Sequence, residues 1–299
     1  MGNFPGHALP GSFFLVFALW WTIHLFHRYY SCQKRKTKFV STAIFKCPCL
    51  CGRYKDWPVE AFVKVIFVII GFCLEIYTGF SKDWRFVNLG NGQHATMFFF
   101  FGLNGVIDIL MHFKFPLPPN MDYITMAAAV TCEYVLFKFH LHGRTDLDVL
   151  LHTLLLYAIG ASIISVFLEM KYRNSLICAL SRAYFTMLQG TWFWQVGWIL
   201  YPPFKSSFHW DQNDHEQMMI ATMTFAWHAA VDMLIILGIG GAVAALHRRF
   251  GNYVELEESM AMKRLIHTSS NGDSVVRLDD DDESESDIEF EKPTRTLLS

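Results

Sequence analysis

Residues 147–170 read LDVLLHTLLLYAIGASIISVFLEM, twenty-four positions that are apolar almost throughout, with Asp148 and His152 four apart near one end. A helix of that length rises far enough to cross the ~30 Å hydrocarbon core of a bilayer. In that medium every backbone polar group must be satisfied inside the segment, which a helix does by itself. Six further stretches share this character: Leu9–Phe26, Val59–Phe80, Ala95–Phe113, Tyr123–Phe139, Ile177–Tyr201 and Met218–Leu246, of which Tyr123–Phe139 is the shortest. Of 299 residues 53% are hydrophobic and only 17% charged, with the charges gathered between these stretches and after the last one, a balance that excludes an ordinary soluble protein.

The expected fold is therefore all-α, a polytopic seven-helix transmembrane bundle over residues 1–247 followed by a polar tail over 248–299. Basic residues set its orientation. Arg28, Lys34, Arg35, Lys36, Lys38, Lys46, Arg53 and Lys55 lie in the first connection (residues 28–58), and Lys114, Lys171, Arg173, Arg248 and Arg249 fall on the same side. Only Lys82, Arg85, Arg144 and Lys205 fall opposite, so the positive-inside rule places the N-terminus outside or in a lumen and the C-terminus in the cytosol. The first apolar stretch has its basic residues behind it rather than ahead, the reverse of a cleavable signal, and is expected to be retained.

Threaded this way, His7, Glu75, His94, Glu133, His140, Asp148, His152 and His228 all fall in the exterior half of the bilayer. An unpaired charge at a helix centre there costs at least ~2.5–3.5 kcal/mol, so such side chains face one another or a shared cavity. Glu133 and His140 are two turns apart on one face, while Asp148 and His152, like His228 and Asp232, are one turn apart. The hairpin His140-x-His142…Asp146-x-Asp148…His152 gathers imidazoles and carboxylates, donors that suit zinc or another first-row metal. At least three of His94, Glu133, His140, His152 and His228 are expected within mutual reach in one cavity. Glu75, Asp108, Gln189, Gln195 and Asp232 form a secondary polar path. Leu188–Trp198 is the densest aromatic stretch and reads first as an interface anchor, with Gly190 and Gly197 permitting close helix approach.

Three functions stay open on these residues: a pocket for a metal ion or small polar ligand, metal-dependent hydrolysis with Glu133 or Asp148 as base, and a scaffold acting through its cytosolic parts. For the last, Cys47, Cys49 and Cys51 beside basic residues suit palmitoylation, with zinc held together with Cys32 as the alternative. Ser284 and Ser286 sit in an acidic run that suits phosphorylation and a cytosolic partner, and the tail is expected to be disordered. No cysteine falls in an exterior loop, so no disulfide framework is expected. The partner expected throughout is the lipid bilayer, and nucleic acid is not expected.

Gly6-His7-Ala8-Leu9-Pro10-Gly11, His94-Ala95-Thr96-Met97 with Phe98–Gly102 and Asp108, Leu188–Gly197 with Tyr201-Pro202-Pro203, and Trp210-Asp211…Trp227-His228 come in one order. Together they resemble the transmembrane protein 45 family, including its epididymal relatives, over roughly residues 1–247. The resemblance implies a multi-pass membrane protein and carries no reaction or site residue with it. A looser likeness, to seven-span zinc hydrolases with a His-x-x-x-His pair on the last span, meets His228-x-x-x-Asp232 here.

Overall fold

The structure is a computed structural model that describes residues 3–46, 56–141, 143–204 and 210–270, with side chains described as far as residue 249. Seven helices follow one another: α1 (Phe4–Lys34), α2 (Val59–Gly79), α3 (Leu89–His112), α4 (Met121–Phe139), α5 (Asp146–Lys171), α6 (Leu176–Leu200) and α7 (His215–Ser270). Among the described residues the only strand-like pairing is one isolated bridge, Phe80 with Phe86. Four of the helices, Phe4–Lys34, Leu89–His112, Asp146–Lys171 and the part of α7 over His215–Arg249, are long and apolar enough to cross a membrane.

Local signals set the ends. Asn3 caps α1 by accepting from the Gly6 amide at 2.7 Å, with Pro5 in the first turn where its missing N–H costs nothing. Ser175 caps α6 through the Cys178 amide at 3.4 Å. Between α4 and α5 the chain reverses through Gly143 at φ 76°, a left-handed geometry that glycine adopts without penalty.

Neighbour contacts run α1–α6, α6–α5, α5–α4, α4–α3, α3–α2 and α2–α1, which closes the first six helices into a ring. The α1–α6 seam is the tightest. A Cβ on Gly11 would stand 3.0 Å from the Gly190 carbonyl oxygen, and one on Gly190 would stand 2.9 Å from the Leu15 nitrogen, so the two backbones touch. The α1–α2 seam is bridged by rings instead, Phe13 stacking on Phe67 at 4.5 Å. α7 lies against α1 and α6: Ile236 and Val243 pack with Ala18, Phe26 and Met187, and the Tyr184 hydroxyl donates to the Ala229 carbonyl at 3.0 Å. Ile69, Phe99, Val135, Ile164 and Leu234, one or more from most helices, are exposed around the bundle, as lipid-facing side chains are.

Several boundaries differ from the sequence reading. α1 continues past Phe26 to Lys34, and α7 is helical through Ser270, beyond the break in composition after Leu246. Apolar length marks where a helix is hydrophobic, and both extensions are polar. The chain divides into the units Met1–Arg249 and Phe250–Ser299. Within the aromatic stretch, Trp192 is no interface anchor. It is fully buried and donates to the Leu151 carbonyl at 2.9 Å, tying α6 to α5.

Because backbone meets backbone at the α1–α6 crossing, neither side can yield to a methyl group. Gly11→Ala and Gly190→Ala are each expected to destabilise the protein by about 1–3 kcal/mol. Gly241→Ala, where an added Cβ meets nothing within 4 Å, is expected to leave stability unchanged or raise it slightly. Thermal unfolding of the three variants in detergent checks this, and equal midpoints would refute the crossing.

Candidate functional site

At one end of the ring, four side chains spaced four residues apart across the α4–α5 turn form a ladder: His140, Arg144, Asp148 and His152. Arg144, just after the Gly143 turn, stands in its middle. Its Nη1 donates to both Asp148 oxygens at 3.0 and 2.8 Å, its Nε donates to the His140 carbonyl at 3.1 Å, and its Nη2 donates to His140 Nε2. On the other side of that ring, His140 Nδ1–H donates to Gln93 Oε1 at 2.6 Å, which leaves Nε2 as the acceptor Arg144 requires. Asp148 Oδ1 in turn lies 2.7 Å from His152 Nδ1.

The ladder extends sideways through rings. His94 stands 5.2 Å from His140 and pairs its Nδ1 with Glu75 at 3.3 Å, while His7 stands 5.7 Å from His152 and 5.3 Å from Tyr201. Phe137 is the common neighbour, with its centroid 6.4 Å from His94, 6.4 Å from His140 and 6.0 Å from His152. Five helices and the cap of a sixth meet in this layer.

Beneath it a cavity of about 130 Å³ runs along the axis of the ring. On α1 its lining extends from Gly6 to Trp21, roughly 22 Å at the helical rise. Its walls are largely phenylalanine. Phe14 stacks with Phe193 at 5.7 Å, stands edge-on to Phe101 at 5.8 Å, and Phe193 meets Phe137 at 5.7 Å, forming a collar. Below the collar lie Glu133 and Gln189, 2% and 1% exposed, whose Oε2 and Oε1 find no hydrogen-bond partner among the described residues.

The floor is charged. Lys64 donates to Asn104 at 2.8 Å and to Asp108 at 2.5 Å. Arg182 pairs with Glu169 and lies 4.1 Å over the Trp21 ring, and its Nη1 has no partner among the described residues. Lys64, Arg182, Glu169, Asn104 and Glu60, the last of which accepts from the Trp20 and Trp21 indoles at 2.9 and 2.6 Å, escaped the sequence reading. The signal was present, since each is a charged or amide side chain inside an apolar stretch.

Two expected site members lie elsewhere. His228 approaches Gln195 at 3.4 Å and Asp232 accepts from Thr191 at 2.8 Å, on the face of α6 turned toward α7. α7 contributes no side chain to the lining, so these residues do not join the cavity. Asp108 serves as the partner of Lys64, and Glu75 and His94 line the upper cavity. Among the described residues no group of three or more His, Cys, Asp or Glu side chains is arranged to hold a metal ion. The guanidinium of Arg144 supplies the cation that the hairpin donors surround. His142, Cys47, Cys49, Cys51, Ser284 and Ser286 lie outside the described residues.

His140 sits just beyond the last turn of α4. Burial first, and then the Arg144 guanidinium, push its imidazole from the ordinary 6.5 down to about 3. Between those values the unfolded chain binds a proton that the folded chain refuses, so this contribution to stability is complete above about 6.5 and is lost as the pH falls toward 3. The unfolding temperature is expected to drop from pH 7 to pH 4, and to drop less steeply in His140→Gln. Parallel curves for the two proteins would refute the assignment.

Residues 119–240 match the model of a family of unknown function, DUF716, a stretch that holds the ladder, Glu133 and Gln189. The chain is 24% identical to transmembrane epididymal protein 1A of Mus musculus, over 93% of this chain and 92% of that one. It is 23% identical to transmembrane epididymal protein 1 of Rattus norvegicus, over 91% and 90%, and 27% identical to the protein of that name from Homo sapiens, over 54% and 56%. With its membrane-length apolar helices the chain is a multi-pass membrane protein, and these likenesses bear out the resemblance to the transmembrane protein 45 family and its epididymal relatives.

Proposed function

We propose that this chain crosses the membrane seven times, N-terminus exterior and C-terminus cytosolic, and binds one slender, mostly apolar small molecule in the slot enclosed by α1–α6. The ladder of His140, Arg144, Asp148 and His152 caps the exterior end of that slot. The observation that carries this reading is a cavity of about 130 Å³ lined by phenylalanine rings and by Glu133, Gln189 and Arg182, each of which keeps one buried polar atom without a partner among the described residues. Native proteins satisfy the great majority of such atoms, and those left over call for an occupant.

This narrows the earlier expectation of a metal ion or small polar ligand in the exterior half. The site extends toward the cytosolic end, its surface is mainly apolar, and the charged groups at its mouth are already paired with one another. Hydrolysis through a metal-bound water draws no support from a layer whose donors surround Arg144.

The test is occupancy. The full chain in a neutral detergent is expected to bind hexanol saturably, since a short unbranched chain is slender and small enough for a cavity of about 130 Å³. Val130→Trp, which fills the slot from α4, is expected to weaken binding by about tenfold or more, or about 1.4 kcal/mol. Leu234→Trp, on the exposed face of α7, serves as the control for added bulk and is expected to bind as the native chain does. Equal binding by a folded Val130→Trp variant would overturn the reading.

A further inference from the structure

We infer that the slot is selective for an amphiphilic amine, its ammonium group held between Glu133 and Gln189; this rests on the ligand-binding reading above. α4 and α6 are separated in the ring by one antiparallel neighbour, α5, and so run in the same direction. Phe137 and Phe193, one on each, touch at 5.7 Å, and Glu133 and Gln189 are each one turn before those rings. The two residues therefore stand at one level of the slot.

What they offer at that level is acceptance. Glu133 Oε2 and Gln189 Oε1 have no donor among the described residues, and the Gln189 amide nitrogen is already given to the Ser162 hydroxyl. A ligand group that donates two or more hydrogen bonds and carries positive charge satisfies both oxygens, which a hydroxyl does only in part and a carboxylate not at all. The collar of Phe14, Phe101, Phe137 and Phe193 lies directly above, and aromatic faces attract a cation.

At the far end of the slot Lys64 and Arg182 have their charges matched by carboxylates, and the ligand's tail lies between Val130, Met126 and Val166. Their own carboxylates, Asp108 and Glu169, are engaged by them and do not offer a second anionic site. Glu75, near the mouth, is paired with His94. Asp108 Oδ1 is also without a partner among the described residues, but Asp108 is paired with Lys64 through its other oxygen, and Glu133 is the carboxyl of the slot for which no basic side chain is paired.

The experiment compares three ligands of one length, hexylamine, hexanol and hexanoate, titrated against the full chain in a neutral detergent at pH 7. The amine is expected to bind about tenfold or more tighter than the carboxylate, with the alcohol between them. Glu133→Gln is expected to bring amine and carboxylate within about threefold. Gln189→Leu, which removes the second acceptor, is expected to weaken the amine alone and serves the same comparison if Glu133→Gln does not fold. Equal binding of all three by the native chain would overturn the amine inference and leave the pocket standing. Failure of every ligand to bind would overturn the pocket reading itself.

Discussion

Arg182 on α6 lies against Glu169 on α5, both almost wholly buried, and one end of the ring is assembled around that pair. Tyr123 from α4 donates to the same carboxylate at 3.1 Å, Trp21 from α1 lies under the guanidinium, and the Thr42 carbonyl of the first connection accepts at 3.4 Å. Losing one partner of such a pair strands the other charge away from water, at a cost of about 3–5 kcal/mol. Four helices and a loop are thereby fixed to one point. Lys64 with Asp108 does the same for α2 and α3, and Arg144 with Asp148 ties the α4–α5 turn at the opposite end. Held by charge at both ends, the helices enclose a slot between those levels.

That seven helices exist was legible because hydrophobic length is a property of composition. Their ends were not, because the last turns of α1 are polar and continue the helix past the apolar stretch, with Lys34 in the final turn. The polar layer at the mouth was legible in part. His94, His140, Asp148 and His152 meet there, since spacing on one helix and depth across several are both readable from sequence. Spacing does not say which helix stands outside the ring, and so His228 reads from sequence as a member of a cavity whose lining includes no α7 side chain.

Among the described residues, the hairpin donors that suit a metal gather around Arg144. Its position, midway between His140 and Asp148 at four-residue intervals, is as regular as theirs, yet a basic residue in a loop is read first as a topology signal. In the structure its fork satisfies both Asp148 oxygens and a ring nitrogen at once, which a planar guanidinium with five donors does better than a lysine would. A set of histidines and carboxylates is evidence for a cation at their centre, and that cation can be a side chain.

Glu60, Lys64, Asp108, Asp148, Glu169 and Arg182 each find an opposite charge, an indole or an amide within hydrogen-bond reach, as ions in apolar surroundings must. Against that pattern Glu133 is the exception, buried to 2% exposure below a collar of phenylalanines. Its neighbours supply no donor to its free oxygen, and the nearest polar group at its level, Gln189, turns its own amide nitrogen away to Ser162. A carboxyl that served only to hold helices together would take that nitrogen for itself. The pair instead brings two buried acceptor oxygens to one level beside the slot, neither of them with a donor among the described residues.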